Sequence, residues 1–249
     1  MKKFENQIRG IKIIVIFFFI QFLAGFTYEI YAAFAEADGS VISEALAEAR
    51  MMEFLSVFEF IFIILLVRRY RVSIVSTIKD ARENYKHFFK MLGIYLVFYY
   101  SFLWLASFID GQFFAQFAES IGENQATLEG AMDAKPSIFV IASICVLGPI
   151  IEEYVFRYAI MNKLLAGTNR YVAAVIATII FAFVHIGFAQ MFSLEIGHTI
   201  HLYLMYLPVS IVLSFIYARE ENLLYPVIFH IFSNSLSVGM SMLAFVILF

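Results

Sequence analysis

The sequence predicts an all-α protein, a polytopic transmembrane helix bundle of about seven spans with its N-terminus in the cytoplasm. Three observations carry that expectation. Of 249 residues, 62% are apolar and only 15% charged, where a soluble domain carries about a quarter charged residues. The charged residues are segregated, so long stretches are nearly free of them. Those stretches are continuously apolar rather than alternating, which favours helices over the strands of a barrel. Thirty phenylalanines exceed what a soluble core of ordinary polarity buries.

The predicted spans are 13–34, 53–67, 91–109, 137–163, 171–190, 199–217 and 223–249. Crossing the hydrocarbon core takes about 20 residues, so 53–67 must borrow from its flanks. Segment 68–90 mixes charged and apolar residues and is expected as an amphipathic helix on the cytoplasmic face. Lys2, Lys3, Arg9 and Lys12 precede the first span. Arg68, Arg69, Arg71, Lys79, Arg82, Lys86 and Lys90 separate the second from the third, Lys163 and Arg170 the fourth from the fifth, and Arg219 the sixth from the seventh. The remaining loops hold Arg50 and Lys135 against acids such as Glu36, Asp38, Glu44, Glu48, Glu119, Glu123, Glu129 and Asp133. The positive-inside rule then sets the N-terminus in the cytoplasm and the C-terminus outside. The first apolar run is longer than a signal peptide's core, so despite Ala33-Phe34-Ala35 it is expected to be an uncleaved span. Without repeats or linkers, residues 1–249 are expected to form a single integral membrane domain, with N-terminal spans and loops over 1–136 and core helices over 137–249.

Ionisable groups inside a span are costly, about 2.5–3.5 kcal/mol each on insertion scales, and they face a protein interior. The fourth span holds Glu152, Glu153 and Arg157. Glu153 and Arg157 are four apart and share a face, so they can pair. Glu152 is rotated about 100° away and is free to point into the bundle. Upstream, Gly148-Pro149 can open the backbone, because proline removes a helix hydrogen bond. Phe181 and His185 share one face of the fifth span, and His230 and Asn234 one face of the seventh. A structural charge cluster and interhelical hydrogen-bonding histidines are the plain alternatives. Together, however, the set holds a base, two proton donors or metal ligands, and an amide donor, which are parts for activating water and stabilising an oxyanion.

At these residues the sequence resembles the CAAX-protease and bacteriocin-processing (Abi) family of membrane endopeptidases. That family carries Glu-Glu-x-x-x-Arg, Phe-x-x-x-His and His-x-x-x-Asn motifs on successive core helices. Here they read Glu152-Glu153…Arg157, Phe181…His185 and His230…Asn234, with similar flanks at Gly148-Pro149 and Asn222-Leu223-Leu224-Tyr225-Pro226. The resemblance covers roughly residues 137–240; Tyr158 departs from the glycine that many members carry there. It implies that Glu152 is the general base, assisted by His185, that His230 and Asn234 hold the oxyanion, and that Glu153 and Arg157 shape the site. Glu152, His185 and His230 also suit a zinc ion with one open position, so a metal-free glutamate mechanism and a metallo mechanism both stand. The HExxH signature is absent. The implied substrates are membrane-associated peptides or membrane-proximal segments of proteins, and the implied location is a bacterial cell membrane, crossed several times.

Other residues fit plainer roles. Cys145 lies seven residues before Glu152, facing the same way, and is expected to be a small buried residue rather than a nucleophile. Glu195, His198 and His201 recur every third residue and read as interfacial polar groups at an exposed helix start, with a surface metal as the alternative. Glu29 and Glu59 are expected to line a cavity or pair with a core residue, and His87 to belong to the basic cytoplasmic segment. A net charge of −3 gives no case for nucleic acid. No internal symmetry points to a transporter, and no pair of intramembrane aspartates is present. The competing expectation is a non-catalytic membrane scaffold that regulates a sensor kinase or a bacteriocin-immunity partner.

Overall fold

The computed structural model of the chain describes residues 2–37, 43–117, 137–186 and 196–248. Among these, every regular element is helical: α1 (Lys2–Ala37), α2 (Glu44–Glu83), α3 (Tyr85–Phe113), α4 (Ile138–Leu164), α5 (Arg170–Ile186), α6 (Ile196–Glu220) and α7 (Leu224–Leu248), with one 3₁₀ turn at Ala115–Phe117. Each of the seven predicted segments coincides with one of these helices, Ser137 and Leu223 standing one residue before α4 and α7, although 187–190 and Phe249 lie outside the described residues. Among the described residues, four helices are long and apolar enough to cross a membrane: most of α1, and α3, α4 and α6. The protein is an all-α membrane helix bundle.

Local chemistry explains where the helices start and stop. Ser43 caps α2 by accepting from the Leu46 N–H, and Ser137 caps α4 by accepting from the Val140 N–H. Asn169 Oδ1 accepts from the Tyr171 N–H (2.9 Å), and Asn222 Oδ1 from the Leu224 N–H (2.9 Å), opening α5 and α7. Gly167 has φ 88° in the turn between α4 and α5, a conformation that glycine adopts without steric penalty.

The amphipathic segment 68–90 is not a separate surface helix. Instead α2 runs unbroken to Glu83, and the chain breaks only at Asn84 (φ −107°, ψ 30°) before α3 begins. Forty residues at about 1.5 Å each make α2 about 60 Å long, twice the hydrocarbon thickness. The apolar run marked only its lipid-compatible middle. The basic segments do converge at one end of the bundle. Gln7 on α1 donates to the Leu164 carbonyl at the end of α4. His87 Nε2 lies 3.0 Å from Glu220, and the Tyr95 hydroxyl donates to Glu220 as well. Asn222 donates to Asp80 (2.8 Å) and to the Thr77 carbonyl (3.3 Å), while Arg170 pairs with Glu221.

Helix α4 is the hub, packed by α1, α2, α5 and α7. It is not a regular α-helix. A π turn occupies 143–147, an α turn 148–153, and a second π stretch 154–164. Proline at 149 supplies the reason for the first. It has no N–H and its ring crowds the carbonyl four residues back, so the preceding turn widens. Glycine at 148 is also needed, because a Cβ there would stand 3.0 Å from the Ser143 carbonyl oxygen.

Several polar residues sit differently from expectation. Cys145 is buried but does not line the cavity with Glu152, because the π turn between them shifts the register of the seven-residue repeat. His201 is not at an exposed start: it is 3% exposed, and its Nδ1 meets Asp110 of α3 at 2.6 Å. His198 stacks on Phe117, and Glu195 lies outside the described residues. So do Asp38, Glu119, Glu123, Glu129, Asp133 and Lys135. Glu29 is exposed on the outer face of α1, whereas Glu59 is buried.

Candidate active site

Glu152, His185, His230 and Asn234, from α4, α5 and α7, line one cavity of about 210 Å³. A count of residues along each span places His185 deeper than the glutamate, yet the packing brings its ring alongside. Helices α1, α2 and α6 complete the walls with Gln21, Glu59, Tyr206 and Val209.

Each histidine has its tautomer set by the partner of Nδ1. His185 Nδ1 lies 2.8 Å from the Phe181 carbonyl oxygen. A carbonyl can only accept, so Nδ1 carries the proton and the neutral ring leaves its Nε2 lone pair free. His230 Nδ1 lies 3.0 Å from Glu153 Oε1, and an ionised carboxylate likewise only accepts. Both Nε2 atoms face the same oxygen: Glu152 Oε2 is 3.6 Å from that of His185 and 3.8 Å from that of His230. These separations are too long for direct hydrogen bonds but within reach of a shared water. Glu152 is the open member of the set, its side chain 24% exposed, against 11% for His185 and 4% for His230.

Behind this face lies a charged layer with no access to solvent. Glu153 and Arg157 are both fully buried, with Glu153 Oε2 3.0 Å from Arg157 Nε. The contact is ionic rather than an aligned hydrogen bond, and the other guanidinium nitrogens have no hydrogen-bond partner among the described residues. Aromatic faces take that role, with Arg157 Cζ 5.1 Å from the Phe181 ring centroid and 5.9 Å from that of Phe156. Phe181 in turn stacks on the His185 ring at 4.0 Å. The Phe-x-x-x-His spacing thus does three things: it positions a ring, supplies a carbonyl and covers a cation. Glu153 links Arg157 to His230, so the adjacent glutamates divide the work, one facing the cavity and one facing the protein.

Asn234 is held by the irregularity of α4. In the π turn the Ser143 carbonyl takes the Gly148 N–H, and five residues beyond Ile144 stands Pro149, which has no N–H to give. Asn234 Nδ2 donates to that Ile144 carbonyl at 3.0 Å, leaving its second N–H for other acceptors. Glu59 approaches the same turn from α2, its Oε2 accepting from the Ser143 hydroxyl at 2.6 Å. Sequence reasoning expected Glu59 to line a cavity or pair with a core residue, and it does both, but the sequence did not name its partner. Ser143 carried no signal at all, since a serine in a membrane helix is ordinary.

The donor set is of a kind that zinc takes, with each imidazole oriented by a second partner. As the side chains stand, no group of three or more His, Cys, Asp or Glu among the described residues is close enough to hold a metal ion. Neighbouring ligands of a tetrahedral zinc are about 3.3 Å apart, so the three donors would have to draw in.

Comparison with known proteins places the site in a family context. Residues 134–236 match the model of the family described as Type II CAAX prenyl endopeptidase Rce1-like. Over 120 residues the chain is 28% identical to "Putative membrane peptidase YdiL" of Bacillus subtilis (strain 168), covering 48% of this chain and 43% of that protein. Over 102 residues it is 28% identical to "UPF0177 protein YajF" of Lactococcus lactis subsp. lactis (strain IL1403), covering 41% and 44%. The chain thus matches less than half the length of either relative. No solved structure matches it. The family segment runs from just before α4 to just past Asn234 and contains all six sequence-predicted site residues, whereas Glu59 lies outside it.

Proposed function

We propose, from the match of residues 134–236 to the Rce1-like family model, that this protein is an intramembrane endopeptidase in which Glu152 activates water. The observation that carries the reading is the convergence of both histidine Nε2 atoms on Glu152 Oε2, each ring held in the tautomer that turns a lone pair inward.

In this reading a water sits between Glu152 and the two rings. Glu152 takes its proton as the oxygen attacks the substrate carbonyl, and His185 Nε2 orients the water from the second side. The carbonyl oxygen becomes an oxyanion, met by the free N–H of Asn234 and by His230 after its Nε2 takes up a proton from water in the cavity; that proton returns to water as the oxyanion collapses. Glu153 fixes the orientation of that ring through Nδ1, as a carboxylate behind a histidine does. Arg157 pairs with Glu153, and Phe181 holds Arg157 and His185 in register. The proton on Glu152 then passes to the leaving amine. A zinc ion, when bound, would be held by Glu152, His185 and His230 and would supply Lewis-acid polarisation and a more acidic water. With the ion bound, the two Nε2 lone pairs and Glu152 would be taken up in holding it, so the proton handling described above belongs to the metal-free site.

The substrates of this reading are membrane-associated peptides or membrane-proximal segments of proteins, reached within a bacterial cell membrane that the chain crosses several times. The N-terminus and the four converging basic segments lie in the cytoplasm. The test compares membrane and secreted peptides from cells carrying the wild type or Glu152→Gln, which keeps size and packing but removes the base. Specific fragments are expected to vanish in the variant at equal protein level, and their ends then define the cut site. If no fragment changes while deletion of the gene still alters the cells, the catalytic reading is wrong and a scaffold that binds a regulatory membrane partner takes its place.

A further inference from the structure

Glu59 is an acid in the apolar middle of α2, only 4% exposed. Such a group persists in a membrane helix when its hydrogen bonds are needed. The partner of Glu59 Oε2 is the Ser143 hydroxyl, which is itself buried, and its other oxygen stands 3.6 Å from where a Cβ on Gly148 would lie. One contact falls on the π turn of α4 and the other on the residue whose N–H closes that turn.

A π turn and an α turn differ by one residue in hydrogen-bond register, so a π turn needs something to hold it. In the α register the Ile144 carbonyl would take the Gly148 N–H. In the observed register Ser143 takes that N–H, and Ile144 turns to Asn234 instead. Whatever fixes Ser143 therefore fixes the acceptor that aims the Asn234 amide. We infer that Glu59 is a positioning residue for Asn234: through Ser143 it holds the π register of α4, and α2 thereby supplies part of an active site whose family segment begins only at residue 134. The inference rests on the peptidase reading for its catalytic consequence and on the hydrogen bonds alone for its structural one.

Two measurements test it, on full-length protein in detergent micelles. The first follows a quenched-fluorescent peptide carrying the cut site found by the fragment comparison. Loss of one oxyanion donor lowers kcat about 100- to 1000-fold. Glu59→Leu and Ser143→Ala should each lower kcat at least about tenfold with KM little changed, since Asn234 acts in the transition state. Glu59→Gln, whose amide oxygen still accepts from Ser143, should stay within about threefold of wild type. In an Asn234→Ala background, Glu59→Leu should cost less than about twofold more, because the residue it acts through is gone. Equal losses in both backgrounds, or a Gln variant as impaired as Leu, would overturn the inference. The milder Ser143→Ala decides the matter if Glu59→Leu does not fold.

The second measurement is hydrogen exchange by mass spectrometry over peptides spanning 143–150. Glu59→Leu should speed exchange there relative to wild type while α5 and α6 are unchanged. Unchanged protection at the turn overturns the inference even if no substrate is cleaved. Wild-type protein lacking any Glu152-dependent cleavage, but showing the exchange change, would sink the peptidase reading and leave the positioning intact.

Discussion

Replacing Glu153 with Gln removes the anion from a pair whose two side chains are both fully buried, 3.0 Å apart. Solvent screening, which reduces exposed pairs to under about 1 kcal/mol, does not operate at such a site. Arg157 would keep its charge with no carboxylate beside it, and its other nitrogens already lack hydrogen-bond partners among the described residues. Breaking a buried pair from one side costs about 3–5 kcal/mol. At 1.4 kcal/mol per tenfold, that shifts the folding equilibrium by about two to three and a half powers of ten. Gln can still accept from His230 Nδ1 through its amide oxygen, so the loss belongs to the ion pair rather than to the histidine. Removing both charges in Glu153→Gln/Arg157→Met should recover most of it, because replacing a buried pair by uncharged residues is often near neutral. The coupling energy of the cycle should therefore be at least about 2 kcal/mol. Pulse proteolysis across an SDS titration in mixed micelles gives all four stabilities. A single variant as stable as wild type, or a double variant whose loss equals the sum of the singles, would refute this account of the layer behind the site.

Gly148→Ala should lower cleavage while largely preserving expression, because its Cβ would stand 3.0 Å from the Ser143 carbonyl and within 3.8 Å of Glu152 Oε1; a fully active variant would mean that this part of the cavity plays no part in the reaction. Phe181→Ala should destabilise by about 3–5 kcal/mol, by the same proteolysis assay, since the ring fills the space between Arg157 and His185. Cys145→Ser should keep wild-type activity, and the native thiol should resist a membrane-permeant maleimide until the protein is unfolded, because it is buried and outside the cavity lining. A cysteine introduced at the exposed Lys79, with Cys145 replaced, should react with an impermeant maleimide only from the cytoplasmic side; labelling from outside would invert the proposed topology.

The helical class and the positions of the apolar middles were legible in the sequence because lipid imposes one requirement on the whole chain: backbone groups must be satisfied within each segment. The six charged and polar candidate residues stood out for the same reason, since polar groups are conspicuous against an apolar background. The four-residue spacings also correctly gave the Glu153–Arg157 pair and the shared face of Phe181 and His185. Helix periodicity misled where the helix itself changes. The register of Cys145 relative to Glu152 rests on regular α turns, and the π turn ahead of Pro149 removes that premise. The full length of α2 was hidden because its polar end carries no lipid signal. Only the tertiary structure could decide which nitrogen of each histidine faces the glutamate, that Glu153 backs His230, that the Ile144 carbonyl is met by Asn234, and that Glu59 reaches across from another helix to Ser143. Those are contacts between residues 77, 90 and 84 positions apart in the chain. No local propensity encodes such distances; the packing of α2 and α7 against α4 does.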